Sequence, residues 1–301
     1  MNLSIIIPTF QAAQFLPELL SRLYDQTVKS IEVILVDSGS TDGTADFAAS
    51  KGCKVISIAH DAFRHGRARN LGARAARGEI LVFLTQDALP IGPDFLDNLT
   101  IPLRNGVAVA ATARQVAYPQ ANPLEQFARH FNYPSQPFVR TLDDINTLGI
   151  KAYFFSNTAS AVWQDIFWRV GGFNEEVIVN EDMFLCSVLL HAGFSVAYQA
   201  QASVFHSHEY SLFRIFQRYF DIGIFFSQAG DALQGGNTGG EGLRFNIQAS
   251  QALLSKRAWA WIPRLYFESG LKLIAFQVGR CQRLLPVWLK RKISGQRSYW
   301  S

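Results

Sequence analysis

The sequence predicts an α/β fold built on a Rossmann-like, mostly parallel central sheet with helices on both faces. Three observations predict it. Short continuous apolar runs recur through residues 1–90, helical patterns separate them, and each run ends in polar residues. "LSIIIP", "IEVILVD" and "EILVFL" are such runs, and strands buried on both faces read this way. Strands alternating with helices call for crossover connections, hence a parallel sheet.

Leu3–Pro8 is the first strand, and Phe15, Leu16, Leu19, Leu20 and Leu23 follow at helical spacing. "IEVILVD" is the second strand and ends in Asp37; "SGSTDGT" after it is a turn that also caps the next helix. "KVISIA" is the third. "GRARNLGARAARG" reads as a helix closed by Gly78, and "EILVFL" runs straight into Thr85-Gln86-Asp87. "VAVAATARQVAYP" and "IKAYFFSNTASAVW" are further strand candidates. "DIFWRVGGFNE" brings a helix and a Gly171-Gly172 turn. "EDMFLCSVLLHAG" is a helix ended by Gly193, with Glu181 and Asp182 in its first turn. "SVAYQAQASVFHSHEYS" holds short strands together with His206 and His208. From Ser211 the pattern is helical, interrupted by the glycine-rich "GDALQGGNTGGEG", and no internal repeat is present. The expected division is residues 1–210 and a helical, basic region 211–301.

Of 301 residues, 49% are hydrophobic and 17% charged, a composition that supports a large core and excludes disorder. The formal charge of +4 is unevenly placed. From Ser255 onward ten Lys/Arg stand against Glu268 alone, while the rest carries 18 basic and 23 acidic residues. Cys53, Cys186 and Cys281 form no metal or disulfide pattern, and a reducing cytosol suits them. The N-terminus lacks the features of a signal peptide. No window offers roughly eighteen uncharged apolar residues, so a membrane span is not expected. A cytoplasmic chain, peripheral at most on the inner face of the membrane, is the expectation. The tail mixes Arg and Lys with Trp, Tyr, Phe and Leu. Such helices can lie in an anionic membrane interface, or pack on the α/β body behind a solvated basic rim. No recognised nucleic-acid module accompanies them, so nucleic acid is not an expected partner.

In open α/β sheets ligands bind beyond the carboxyl ends of the strands. Thr9, Asp37 and Asp87 lie at such ends, so three polar groups are expected around one crevice. Asp87 alone reads as a turn residue, but one carboxylate can hold Mg2+ or Mn2+ when a diphosphate supplies other oxygens. Glu181 and Asp182 either complement the positive end of their helix or offer a carboxylate base. His206 and His208 share a face if their segment is a strand, and neutral imidazole suits manganese, His206 being preferred to His208. Arg64, His65, Arg67 and Arg69 form either a solvated basic face or a forked partner for a diphosphate. "IPTFQAAQF" has no glycine, which excludes the dinucleotide-binding turn of a dehydrogenase.

The ordered set "SIIIPTF", "VILVDSGSTDGT", "RNLGARAARGEILVFLTQDALP", "GGF" and "NEDMFL" resembles the inverting family 2 glycosyltransferases of GT-A fold, over roughly Leu3 to His208. The resemblance makes residues 1–210 the catalytic domain. It implies a nucleotide pocket lined by Pro8, Thr9 and Phe10, with Asp37 near the pyrimidine and Ser38 where many members carry a second acid. The family's Asp-x-Asp motif reads Thr85-Gln86-Asp87 here, leaving Gln86 on the donor side and Asp87 as metal ligand, supported by His206. Asp182 matches the catalytic base and Glu181 its helper. Arg64, His65 and Arg69 are expected near the donor diphosphate. "FLTQDALP", "HGRARN" and "HSHEYS" look most like the rhamnosyltransferase branch. That implies transfer from dTDP-rhamnose to a glycan or lipid-linked glycan in cell-surface polysaccharide synthesis. A UDP- or GDP-linked donor, or a non-catalytic sugar-nucleotide-binding subunit, is the alternative.

Overall fold

The structure, a computed structural model, describes residues 2–233 and 240–300. Of the glycine-rich stretch, residues 234–239 lie outside the described residues. The first half alternates strand and helix: β1 Leu3–Thr9, α1 Leu16–Tyr24, β2 Ile31–Asp37, α2 Thr44–Ser50, β3 Lys54–Ser57, α3 His65–Arg74 and β4 Ile80–Leu84. Then come β5 Leu89–Pro90, α4 Phe95–Arg104, β6 Ala110–Val116, α5 Pro123–Asn132, β7 Phe138–Arg140, α6 Ile145–Leu148, β8 Ala159–Trp163 and α7 Gln164–Arg169. The chain closes with α8 Glu181–His191, β9 Val196–Phe205, α9 Leu212–Gln228, α10 Glu241–Ser255, α11 Ile262–Arg280 and α12 Val287–Ile293.

The strands form one sheet in the order β3-β2-β1-β4-β8-β6-β9-β5, with β7 on β9. From β3 to β4 every pair is parallel, and Thr9 lies directly opposite Asp37. Beyond β4 the sheet is mixed, where a mostly parallel one was expected. β8 runs antiparallel to both β4 and β6, while β6 and β9 are parallel. The stretch Ile150–Trp163 is therefore only partly strand. Gly149–Tyr153 is a 3-10 turn, entered through Gly149 at φ 54, and pairing begins at Ala159. The short strands expected near His206 are one long strand, β9, whose register with β6 shifts between Ala113 and Arg114.

Side-chain alternation sets the layers. Leu3, Ile5 and Ile7 of β1, with Ile80, Val82 and Leu84 of β4, pack on α1 and α4. Ile6, Leu81 and Phe83 point to the other face, among Phe167, Phe173, Leu185 and Leu189. Phe220, Ile224 and Phe225 of α9 belong to this second cluster, so residues 212–228 share a core with the sheet. Gly78 does not close α3, which ends at Arg74. It is glycine because a Cβ there would meet the Ser4 amide nitrogen at 2.6 Å. Where α9 crosses α11, Gly223 faces Gly279, and a Cβ on Gly279 would lie 2.1 Å from the Phe220 carbonyl. Cys53 and Cys186 are buried, Cys281 is exposed, and all three are free.

Candidate active site

The ends of β1 and β2 form one wall. Thr9 Oγ1 donates to Asp37 Oδ1 at 3.1 Å, Ser40 Oγ donates to the same oxygen at 2.6 Å, and the Ser40 amide reaches Oδ2 at 2.9 Å. Asp37, 3% exposed, is thus engaged in shaping the loop that follows it. Ser38 Oγ is buried beside it without a hydrogen-bond partner. Gln86 clamps the strand ends together, accepting from the Phe10 amide at 2.8 Å and donating to its carbonyl at 3.1 Å. Phe10 is exposed, its ring 4.5 Å from that of His60, and half-buried Pro8 pairs with Val36. These residues line neither of the two cavities that hold Asp87 and Asp182. The Asp37 carboxylate is held by its own turn.

The second wall comes from β4, β6 and β9. A turn closed by the Ala88 amide on the Thr85 carbonyl presents Asp87, and β5 pairs Leu89 with Phe205, bringing Asp87 beside the end of β9. The His206 amide donates to the Val116 carbonyl. Asp87 Oδ2 lies 3.2 Å from His208 Nε2 and Oδ1 3.7 Å from His206 Nε2; the two Nε2 atoms are 2.9 Å apart. β9 stops at Phe205, so the histidines meet through the segment after the strand and not by strand alternation.

Gln115 sets the His206 tautomer. Its Oε1 accepts from Arg129 at 2.6 Å, and its Nε2 donates to Ser156 Oγ at 2.9 Å. His206 Nδ1, 2.8 Å from Gln115 Oε1, must then carry the proton, leaving the Nε2 lone pair aimed at Asp87 and His208. Burial holds His206 well below its ordinary pKa, helped by His208 and nearby arginines. Burial also lowers His208, against the opposing pull of Asp87. Thr85 Oγ1, at the place of the missing first acid, is buried and unpartnered.

The third wall is the N-terminus of α8. Asp182 Oδ2 accepts from the Asn157 amide at 3.0 Å and Oδ1 from the Met183 amide at 2.8 Å. Burial, and then the charge on Glu181, push Asp182 up to about 6. Glu181 is tied to Arg69 NH1 at 3.1 Å and to Asn157 Nδ2 at 3.1 Å. Burial opposes its ionisation, but Arg69 and His65 outweigh burial and hold it below the usual carboxylate range. Asn180 enters the helix at φ 59, a left-handed conformation that asparagine tolerates.

Asp87, His206 and His208 line a cavity of about 580 Å³, and Asp182 lines one of about 310 Å³. Thr85, Ser156, Thr158, Tyr210 and Arg218 border both, so the two are compartments of one cleft.

The basic residues before and in α3 divide. His65 and Arg69 border the Asp182 compartment, but Arg69 is spent on Glu181 and the His65 carbonyl. Arg64 points elsewhere, donating to the Phe63 and Ser298 carbonyls and packing on Tyr299. Arg218 of α9 is the cation that borders both compartments, and among the described residues it has no hydrogen bond or ion pair. The sequence reading missed it, together with Gln115, Asn157 and Tyr210. Arg214 and Arg218, spaced i,i+4 in a largely apolar helix, were the available signal.

The profile of glycosyl transferase family 2 matches residues 4–171. The O-antigen chain rhamnosyltransferase RfbN of Salmonella typhimurium is 37% identical over 304 residues, covering 100% of this chain and 96% of its own. WbaN of Salmonella anatum, also an O-antigen chain rhamnosyltransferase, is 36% identical with the same coverage. The mannosyltransferase PcManGT from Pyrobaculum calidifontis, solved with GDP-Man and Mn2+, superposes with a TM-score of 0.60 at 18% identity over 99% of this chain and 84% of its own. S. aureus TarS 1-349 does so at 0.55, with 16% identity over 94% and 91% of the two chains. These superpositions place the fold among GT-A structures. With a matching profile over more than half its length and full-length relatives of this kind, the chain belongs to glycosyl transferase family 2 and is a glycosyltransferase.

Proposed function

We propose that the enzyme moves rhamnose from dTDP-rhamnose, with inversion, to a hydroxyl of a glycan or lipid-linked glycan during polysaccharide synthesis. The two full-length rhamnosyltransferase relatives support the sugar. The observation that carries the chemistry is the common wall: Asp182 in one compartment, Asp87 with two histidines in the other, and Thr85, Ser156 and Thr158 between them.

Asp87, His206 and His208 fit a divalent ion, since their ligand atoms lie within 4.8 Å of one another and Gln115 fixes the His206 lone pair toward the group. One carboxylate with two imidazoles suits Mn2+ better than Mg2+, which prefers oxygen. When bound, the ion supplies positive charge to the diphosphate as the bond to the sugar breaks. Asp182, ionised above about pH 6, accepts the proton of the acceptor hydroxyl. The freed oxygen bonds to the anomeric carbon from the face opposite the diphosphate, the carbon–oxygen bond to phosphate breaks, and dTDP leaves with the electron pair. Arg218, uncommitted at the junction, offers a forked cation to the departing phosphates. Glu181, locked by Arg69, acts through Asp182 by raising its pKa and so its basicity.

The test is acceptor-dependent release of dTDP from dTDP-rhamnose by the purified chain with Mn2+, beside UDP- and GDP-linked hexoses. Transfer from dTDP-rhamnose alone is expected. Preferential turnover of a UDP or GDP donor would overturn the donor assignment.

A further inference from the structure

No helix among the described residues is long and apolar enough to cross a membrane, yet the outward face of α11 is apolar. Tyr266, Phe267, Leu273 and Ile274 are 53–61% exposed. With exposed Gly270 and Gln277 they follow helical spacing along one side that carries no charge. The buried side, Leu265, Glu268, Ala275 and Gly279, packs inward. On α10, Leu243, Ile247 and Leu254 form a second exposed stripe. Ser250 lies within it and its Oγ is 3.3 Å from the Tyr266 hydroxyl, so the two stripes adjoin. Trp259 stands at one end of α11, and Leu284 and Trp288 lie beyond the other, 67–84% exposed.

The ends of this face are basic. Lys256 and Arg257 precede α11, Arg280 ends it, Arg283 follows it, and Lys290, Arg291 and Lys292 come from α12. None of these seven pairs with a carboxylate among the described residues. Lone exposed apolar side chains are ordinary, but a continuous apolar stripe across two helices marks a contact surface.

We infer that the joined faces of α10 and α11 rest on an anionic lipid surface, apolar side chains in the acyl boundary and the flanking cations on head groups. Charge selects this occupant over a second copy of the chain. Two copies joined face to face would bring like-charged rims together, whereas acidic head groups neutralise them. The inward side of α11 contributes Leu265, Glu268 and Lys272 to the compartment that holds Asp87. If the acceptor is lipid-linked, which rests on the function proposed above, docking would set that compartment beside the bilayer that carries it.

The test uses the full chain with neither donor nor acceptor, so its outcome is independent of the proposed reaction. Flotation is measured with phosphatidylcholine vesicles, with and without one third phosphatidylglycerol, for the wild type and for Phe267→Glu combined with Ile274→Glu. The wild type should float with the anionic vesicles and much less with the neutral ones. The double variant should bind about tenfold or more weakly, with an unchanged unfolding temperature. Failure of the folded wild type to float with anionic vesicles, or undiminished binding by the variant, would overturn the inference. So would a concentration-dependent dimer, seen by sedimentation, that the same substitutions abolish.

Discussion

Replacing Asp182 with Asn should disable the enzyme and stabilise the protein. Burial, and then the charge on Glu181, push the Asp182 carboxyl from its ordinary 3.8 up to about 6 in the fold. Two units correspond to about 3 kcal/mol. The sign follows from proton uptake: the raised pKa favours the fold fully below pH 3.8, and that contribution is lost as pH rises through about 6. Above that, the ionised carboxylate is held at a cost of about 3 kcal/mol, which a neutral amide does not incur. Against this, the carboxylate accepts two amides, from Asn157 and Met183. A single amide oxygen can serve one of them, losing about 1–2 kcal/mol. The net is a gain of about 1–2 kcal/mol near neutral pH that disappears near pH 4. Turnover should fall about 10²–10⁴-fold, the contribution of a positioned base, with donor affinity unchanged. Urea unfolding at the two pH values, with donor titration and a turnover assay, measures all three. Equal destabilisation at both pH values, or turnover within tenfold of wild type, would refute the reasoning.

Other consequences are as specific. The wild-type rate should fall with decreasing pH through about 6 as Asp182 takes up its proton, and a flat profile between pH 5 and 8 would contradict this. Gln115→Leu frees the Nδ1 of His206 and should weaken Mn2+ binding by about 10–100-fold, measured by calorimetry, without loss of fold. Arg69→Met strands the buried Glu181 charge and should destabilise by about 3–5 kcal/mol, largely restored by adding Glu181→Gln. Gly279→Ala forces α11 from α9, where the Cβ would approach the Phe220 carbonyl at 2.1 Å. It should cost about 1–3 kcal/mol in chemical denaturation.

The parallel half of the sheet was legible because β1, β2 and β4 are buried on both faces and so read as unbroken apolar runs. β8 was harder. Its pairing between β4 and β6 is decided by distant strands, and nothing in "IKAYFFSNTASAVW" marks that only Ala159–Trp163 pairs. The acids at strand and helix ends were found by position, but a position does not tell how a carboxylate is spent. Asp37 serves its own loop, whereas Asp87 faces two imidazoles. Likewise Arg69 was visible as a cation near a helix start, and only the fold, which brings it to the first turn of α8, reveals its pairing with Glu181. Gln115 carried no signal at all, since a glutamine in a strand is unremarkable until a histidine ring is set against it.

The most direct measurement is a crystal structure of the chain with Mn2+ and a non-hydrolysable dTDP-rhamnose analogue, the ion placed by anomalous scattering. The account predicts Mn2+ bound by Asp87 and His206, the diphosphate against it, and the anomeric carbon turned toward the carboxylate of Asp182. An ion elsewhere, or a sugar whose reacting face looks away from Asp182, would contradict it.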